Sequence, residues 1–109
     1  MTVGFVGVHY PHPTHFDDFI ARVQHAVDVL RTTPGCLSAA CWVTAEGESV
    51  VSTAQFASDE ALAASFAAAH EAGVDFAYDE RERLPRQVLT LRPPPVLPEE
   101  TSVTMPTSG

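Results

Sequence analysis

Lysine and asparagine are both absent from this 109-residue chain. Arginine is therefore the only strong cation, and six basic residues face fourteen acidic ones for a formal charge of −8. Such a surface repels phosphate backbones and anionic lipid, so no nucleic-acid and no membrane partner is expected. No apolar run approaches the ~18 residues needed to span a bilayer, and the opening MTVGFVGVHY lacks the basic flank of a signal peptide. A soluble cytoplasmic protein is expected. Cysteine is scarce. Cys36 and Cys41 fall in one apparent strand, where a rise of ~3.3 Å per residue sets them about 16 Å apart. A disulfide needs Cα atoms within roughly 7 Å, so reduced thiols follow.

What is present suffices for one core. Hydrophobic residues make up 45% of the chain, which excludes wholesale disorder. Thr2 to Tyr10 is apolar and β-rich and ends at Pro11, which cannot continue a ladder. Thr14 reads as the N-cap of a helix with Asp17 and Asp18 in its first turn. Phe16, Phe19, Ile20, Val23, Val27 and Leu30 form its inward face, with Arg22, Gln24, His25 and Asp28 opposite. Thr33-Pro34-Gly35 ends it. Leu37–Val43 and Ser49–Phe56 read as a hairpin about a two-residue turn at Glu46-Gly47, with partner numbers summing to 93. Ser58 caps a second, Ala-rich helix, whose inward stripe is Leu62, Phe66 and Ala69 and which Gly73 terminates. Val74 to Arg83 is expected as a short helix or turn and Gln87 to Leu91 as the last strand. Residues 1–95 make one domain, and the Pro-rich stretch 96–109 a separate tail.

The order β-α-β-β-α-β implies an α+β, ferredoxin-like fold, a four-stranded antiparallel sheet with both helices on one face. The other face would still carry Trp42, Val51 and alternate apolar residues of the outer strands. A patch of that kind is most simply covered by a second copy, giving a homodimeric α+β barrel. On the helix side Ala39, Cys41, Ser52 and Ala54 meet Ala61, Ala64, Ala68 and Ala69. Small residues facing small residues either bring the layers close together or leave a pocket.

Three stretches resemble the antibiotic biosynthesis monooxygenase family: Gly4-Phe5-Val6-Gly7-Val8, Pro34-Gly35-Cys36-Leu37-Ser38-Ala39, and Val50 through Ala61. The likeness runs from about Val3 to Arg92 and is nearest to the actinorhodin-type anthrone-oxidising branch. It implies a monooxygenase of antibiotic biosynthesis that needs no cofactor beyond molecular oxygen as co-substrate. The implied reaction oxidises a small polycyclic aromatic substrate, an anthrone-like polyketide intermediate, to a quinone. An anthrone's central CH₂ is acidic because its anion is delocalised, so the protein need supply only a dry pocket, a proton acceptor and orientation. The family's pocket Asn, Trp and Tyr fall at Ser52, Phe56 and Leu62 here, and its strand-two His at Trp42. The alternatives are a polyketide cyclase or isomerase, and a non-catalytic aromatic-binding module.

Candidate residues follow. His9, at the end of the first strand, and His70, on the second helix, are the possible acid/base groups. Ser52, Phe56, Leu62, Trp42 and Tyr78 are the candidate substrate contacts, with Trp42 more simply a dimer anchor and Tyr78 a lid. His9, His12 and His15 invite a metal reading. Near a Pro-rich backbone, however, i and i+3 stand roughly 9 Å apart, too far to share an ion at ~2.1 Å bonds. No metal centre is expected.

Overall fold

Alternation of side chains along Val3–Pro11 (β1) sends Val3, Phe5, Gly7, His9 and Pro11 to one face and Gly4, Val6, Val8 and Tyr10 to the other. The computed structural model describes residues 1–95; the expected tail 96–109 lies outside them. A 3-10 turn at Pro13–His15 leads into helix α1, Phe16–Arg31. Strands β2 (Cys36–Val43) and β3 (Val50–Phe56) follow, then helix α2 (Asp59–Glu71) and strand β4 (Glu82–Leu91). The sheet order is β2-β3-β1-β4, antiparallel throughout. This is the expected ferredoxin-like α+β fold. Among the described residues no helix is long and apolar enough to cross a membrane.

The core is built from the inward stripe of α1 (Phe19, Val23, Val27 and Leu30) against Ala39, Val50, Ala54 and Phe56 of the sheet, with Ala69 of α2 closing one side. Ser65 is fully buried in α2, and its hydroxyl lies 2.6 Å from that of Thr33, just past the end of α1. The pair satisfies two polar groups where the helices meet. Ser58 caps α2 as expected, accepting a hydrogen bond from the Ala61 N–H at 3.0 Å.

Several local expectations fail for identifiable reasons. Thr14 is not the cap of α1, because Pro13 starts a 3-10 turn first and His15 occupies the boundary without a side-chain cap. Pro11 does end β1, as expected. It is the strand's last residue, opposite Glu82, where no further donor is required. The hairpin register sums to 93 from Ser38↔Gln55 to Val43↔Val50, but the connection is a six-residue loop, Thr44 to Ser49, not a two-residue turn. A bulge then shifts Cys36 onto Phe56 and leaves Leu37 exposed rather than inward. Val74 to Arg83 is neither helix nor compact turn. It crosses irregularly and enters β4 at Glu82, five residues before the expected start. Pro85 is tolerated because β4 is an edge strand and the ladder is bulged there. Both cysteines are free thiols, and burial pushes each above its ordinary pKa.

Gly35 sits between α1 and β2 at φ +88°, and a Cβ there would lie 2.5 Å from the Ala61 side chain. Gly47 has a similar φ of +75° but open space around it. Gly35→Ala is therefore expected to cost clearly more than the ~1–2 kcal/mol of the backbone strain alone, and Gly47→Ala about that strain. Urea unfolding of the two variants checks the ordering.

Candidate active site

A cavity of about 260 Å³ lies between α1 and the sheet. Its walls are apolar for most of their extent: Val23, Ala26, Val27 and Leu30 from α1, Phe5 and Gly7 from β1, and Val88 from β4. Phe66 of α2 is the hub of the aromatic lining. Its ring stands 4.9 Å from Phe5, 5.8 Å from Phe76 and 6.2 Å from Phe56, each tilted by about 50°. Gly7 keeps the space open beside Ser52, since a Cβ there would lie 3.0 Å from the Ser52 hydroxyl. Of the two outcomes that small facing residues allow, a cavity is the one realised, but it is displaced. It lies under α1, while Ala64 and Ala68 of α2 point to solvent.

The other end of the cavity is charged. His9, Arg22, Asp75 and Arg86 line it, and Glu82, whose side chain is fully buried, stands behind His9 with Oε1 3.5 Å from His9 Nδ1. Glu82 also pairs with Arg86 Nη2. A bulge builds this cluster. Val8 faces Gln87 and Tyr10 faces Leu84, so Pro85 and Arg86 together oppose His9 alone. Bulges of this kind re-aim side chains beside functional sites.

Burial lowers the His9 pKa below its ordinary 6.5. The Arg86 charge acts in the same sense and Glu82 opposes both. His9 is thus neutral near pH 7. Glu82 Oε1 and His9 Nδ1 make no hydrogen bond at that separation, but the nearby carboxylate charge favours the tautomer with its proton on Nδ1. Nε2 is then a lone-pair acceptor, and among the described residues it has no hydrogen-bond partner. The imidazole also packs on Phe19, 5.9 Å between ring centres. Beyond it, Arg81 binds Asp79 and Asp75, which holds both carboxyls below their ordinary range. The backbone N–H of Ala77 is the larger influence on Asp75, and the Arg81 side chain on Asp79.

The sequence-derived candidates divide. The structure brings His9 and Ser52 to the cavity wall. Phe56 is fully buried behind Phe66, and Leu62 packs against the same core without reaching the cavity. Trp42 is on the opposite sheet face, 59% exposed, its indole N–H donating to Thr53 Oγ1 at 3.0 Å. Tyr78 lies outside, exposed, beneath the Arg86 guanidinium at 5.5 Å. His70 is exposed near the end of α2, away from the cavity. His12 is exposed too, and among the described residues no three His, Cys, Asp or Glu side chains gather as a metal would require.

Arg22, Phe76, Glu82 and Arg86 escaped sequence reasoning. Arg22 falls on the outer side of the helical wheel, yet its long stem carries the charge back over Phe19, 4.7 Å from the ring centre. Glu82 and Arg86, spaced by four residues just before the expected last strand, were the available signal.

The sequence matches the family model described as antibiotic biosynthesis monooxygenase over residues 3–72. No curated protein matches it. Among solved structures, Rv0793 from Mycobacterium tuberculosis superposes with a TM-score of 0.77 at 21% identity, covering 88% of this chain and 98% of that one. SnoaB, a cofactor-independent oxygenase from Streptomyces nogalater, superposes with a TM-score of 0.60 at 17% identity, covering 89% and 97%. A putative antibiotic biosynthesis monooxygenase from Nitrosomonas europaea gives 0.72 at 12% identity, covering 83% and 88%.

The lowered His9 pKa has a consequence for stability. In the unfolded chain the imidazole takes up its proton near its ordinary 6.5, and in the folded protein only at lower pH. The stabilisation is complete above pH 6.5 and is lost as pH falls through the folded value. Denaturant titrations between about pH 7 and pH 5 should show unfolding free energy falling by up to about 1.4 kcal/mol per pH unit from this group. In His9→Gln that part of the slope should vanish.

Proposed function

Because the chain belongs to the antibiotic biosynthesis monooxygenase family, we propose that it oxidises a polycyclic, anthrone-like polyketide intermediate to a quinone, in the cytoplasm, with molecular oxygen as co-substrate and no cofactor. One observation carries this reading. A neutral imidazole, with a buried carboxylate 3.5 Å behind its Nδ1, stands where the charged end of the cavity meets walls of aliphatic and aromatic side chains. A carbon acid needs that combination, because the apolar walls exclude water and the base sits within reach of the ring system.

His9 Nε2 takes one proton from the ring CH₂, and the imidazolium so formed is stabilised by Glu82 at Nδ1. The carbanion passes one electron to O₂, and the resulting radical pair joins as a peroxide at that carbon. The peroxide takes the proton back from His9 and loses water with the second hydrogen, which leaves the carbonyl of the quinone. His9 is the catalytic base. Ser52, on the cavity wall, is placed to donate one hydrogen bond to a substrate oxygen.

Oxygen uptake and quinone absorbance with an anthrone, in the presence of chelator, test the reading. Acceleration over buffer is expected, with kcat/KM falling about 10²–10⁴-fold in His9→Gln. His70→Ala, on the far side of α2, should leave the rate unchanged. No acceleration would remove the oxygenase reading for that substrate. Product formed equally well under nitrogen would move the assignment to a cyclase or isomerase.

The assembly we propose is a homodimer joined through the open sheet face. Along the paired stretches that face presents Val6, Val8, Ala40, Trp42, Val51, Leu89 and Leu91, and none of its paired positions is charged. Leu89 is 53% exposed in the single chain. Apolar surface of this extent is covered in stable proteins, and a two-fold copy covers both faces at once. Sedimentation should give a two-chain species, and Trp42→Glu with Leu89→Glu should weaken it by roughly a hundredfold or more. A wild-type monomer at micromolar concentration would overturn it.

A further inference from the structure

Ser52, Gly7 and Val88 stand in one row across three neighbouring strands, β3, β1 and β4. All three line the cavity, so the row is its floor. Neighbouring strands lie ~4.8 Å apart, which sets Val88 about 10 Å from Ser52. The middle of the floor has no side chain. A Cβ on Gly7 would meet the Ser52 hydroxyl at 3.0 Å and the Phe5 ring at 3.4 Å. Above it, α1 contributes Ala26, the smallest of its lining residues.

The two ends of the row differ. Both helices pack over β2 and β3, so the Ser52 end lies under a roof. β4 is not covered in the same way. Val88 pairs with buried Gly7 and belongs to the inward face, yet it is 57% exposed. Thr90, two residues on and opposite Phe5, is exposed as well. An inward-facing apolar residue that lines the cavity and still meets solvent marks where the cavity opens. Volume sets a second limit. An apolar protein cavity of ~150 Å³ holds one benzene ring. In proportion, about 260 Å³ holds roughly ten ring carbons, which is two fused rings.

We propose that the cavity is a slot for two fused aromatic rings, closed at Ser52 and open past Val88, so that any further ring or substituent stays outside along β4. This rests on the aromatic-ligand reading above and deepens it. The rings lie between Gly7 and Ala26 with their long axis along the row. His9 is two residues from Gly7 on the same face of β1, ~7 Å along the strand, so it meets the long edge of the ring system and not its tip. The ligands selected are linear fused aromatics with one tip free of bulky groups. Ala26 and Val88 are the residues that set what enters.

The probes are naphthalene, its derivative with one diethylene glycol ether at position 2, and the derivative with the same ether at positions 2 and 6, the two tips. Uncharged tails keep the ionic end of the cavity out of the comparison. In calorimetric titrations of the whole 109-residue chain, the one-tailed compound should bind within about threefold of naphthalene, because its tail leaves past Val88. The two-tailed compound should bind at least about tenfold more weakly, since one tail must face the closed end. Val88→Trp should weaken the one-tailed compound at least about tenfold relative to naphthalene. Ala26→Leu should weaken naphthalene more than benzene.

The three probes on unaltered protein decide between the outcomes even where a variant fails to fold. Equal affinity for the one-tailed and two-tailed compounds, a one-tailed compound as weak as the two-tailed one, an unchanged ratio in Val88→Trp, or no binding of any probe would each overturn the proposal. The titrations need neither oxygen nor a carbon acid. Selection for one free tip in a protein that consumes no oxygen with an anthrone would leave the slot standing and remove the oxygenase reading. Oxygen uptake with no discrimination between the tailed probes would do the reverse.

Discussion

Three successive backbone carbonyls, those of Asp75, Phe76 and Ala77, lie in a crossing that belongs to no strand or helix, and they are satisfied by Arg22 and Arg86. Backbone acceptors in a partly buried segment must find donors somewhere, and here the donors are side chains reaching from α1 and β4. That constraint fixes the rest of the site. The crossing is drawn over the end of the cavity, Phe76 is brought against Phe66, and Arg86 is aligned to pair with Glu82 behind His9. A chain closing the same gap with helix would have satisfied its carbonyls internally, and both arginines would have been free to point to water.

The architecture was largely legible in the sequence, and the reason is periodicity. The α1 stripe from Phe19 to Leu30 and the strict alternation through Ala39, Cys41, Val50, Ala54 and Phe56 each admit one solution, so helix face and hairpin register followed with the sum of 93. Failures cluster where a side-chain interaction or an irregularity overrides the local pattern. Leu37 reads as inward by alternation, but one bulge moves it out. Val74 to Arg83 reads as a short helix or turn, yet its end already belongs to an edge strand in which Glu82 and Arg86 turn inward and Arg83 stays exposed.

The site was legible only in part. His9 could be placed because it ends a strand, and Ser52 because it lies on the inward face of β3. Phe56 and Leu62 occupy the positions that the family resemblance implied, but their apolar side chains join the core instead of the cavity wall. The residues that give the cavity its polarity come from three segments far apart in sequence, and none of those segments alone carries a motif. Arg22 shows the difficulty most directly. It is read on the polar side of α1, yet its long, flexible side chain carries the charge across Phe19 to the cavity.

The bulge that places Pro85 and Arg86 opposite His9 also interrupts the outer border of the sheet. Proline offers no N–H at that point, and the row of free donors and acceptors along β4 loses its regular spacing. A stray extended peptide approaching sideways meets a broken template, so fibre-like growth by strand addition is discouraged at this border. The irregularity that aims a cation into the interior thereby also guards the molecule against polymerising.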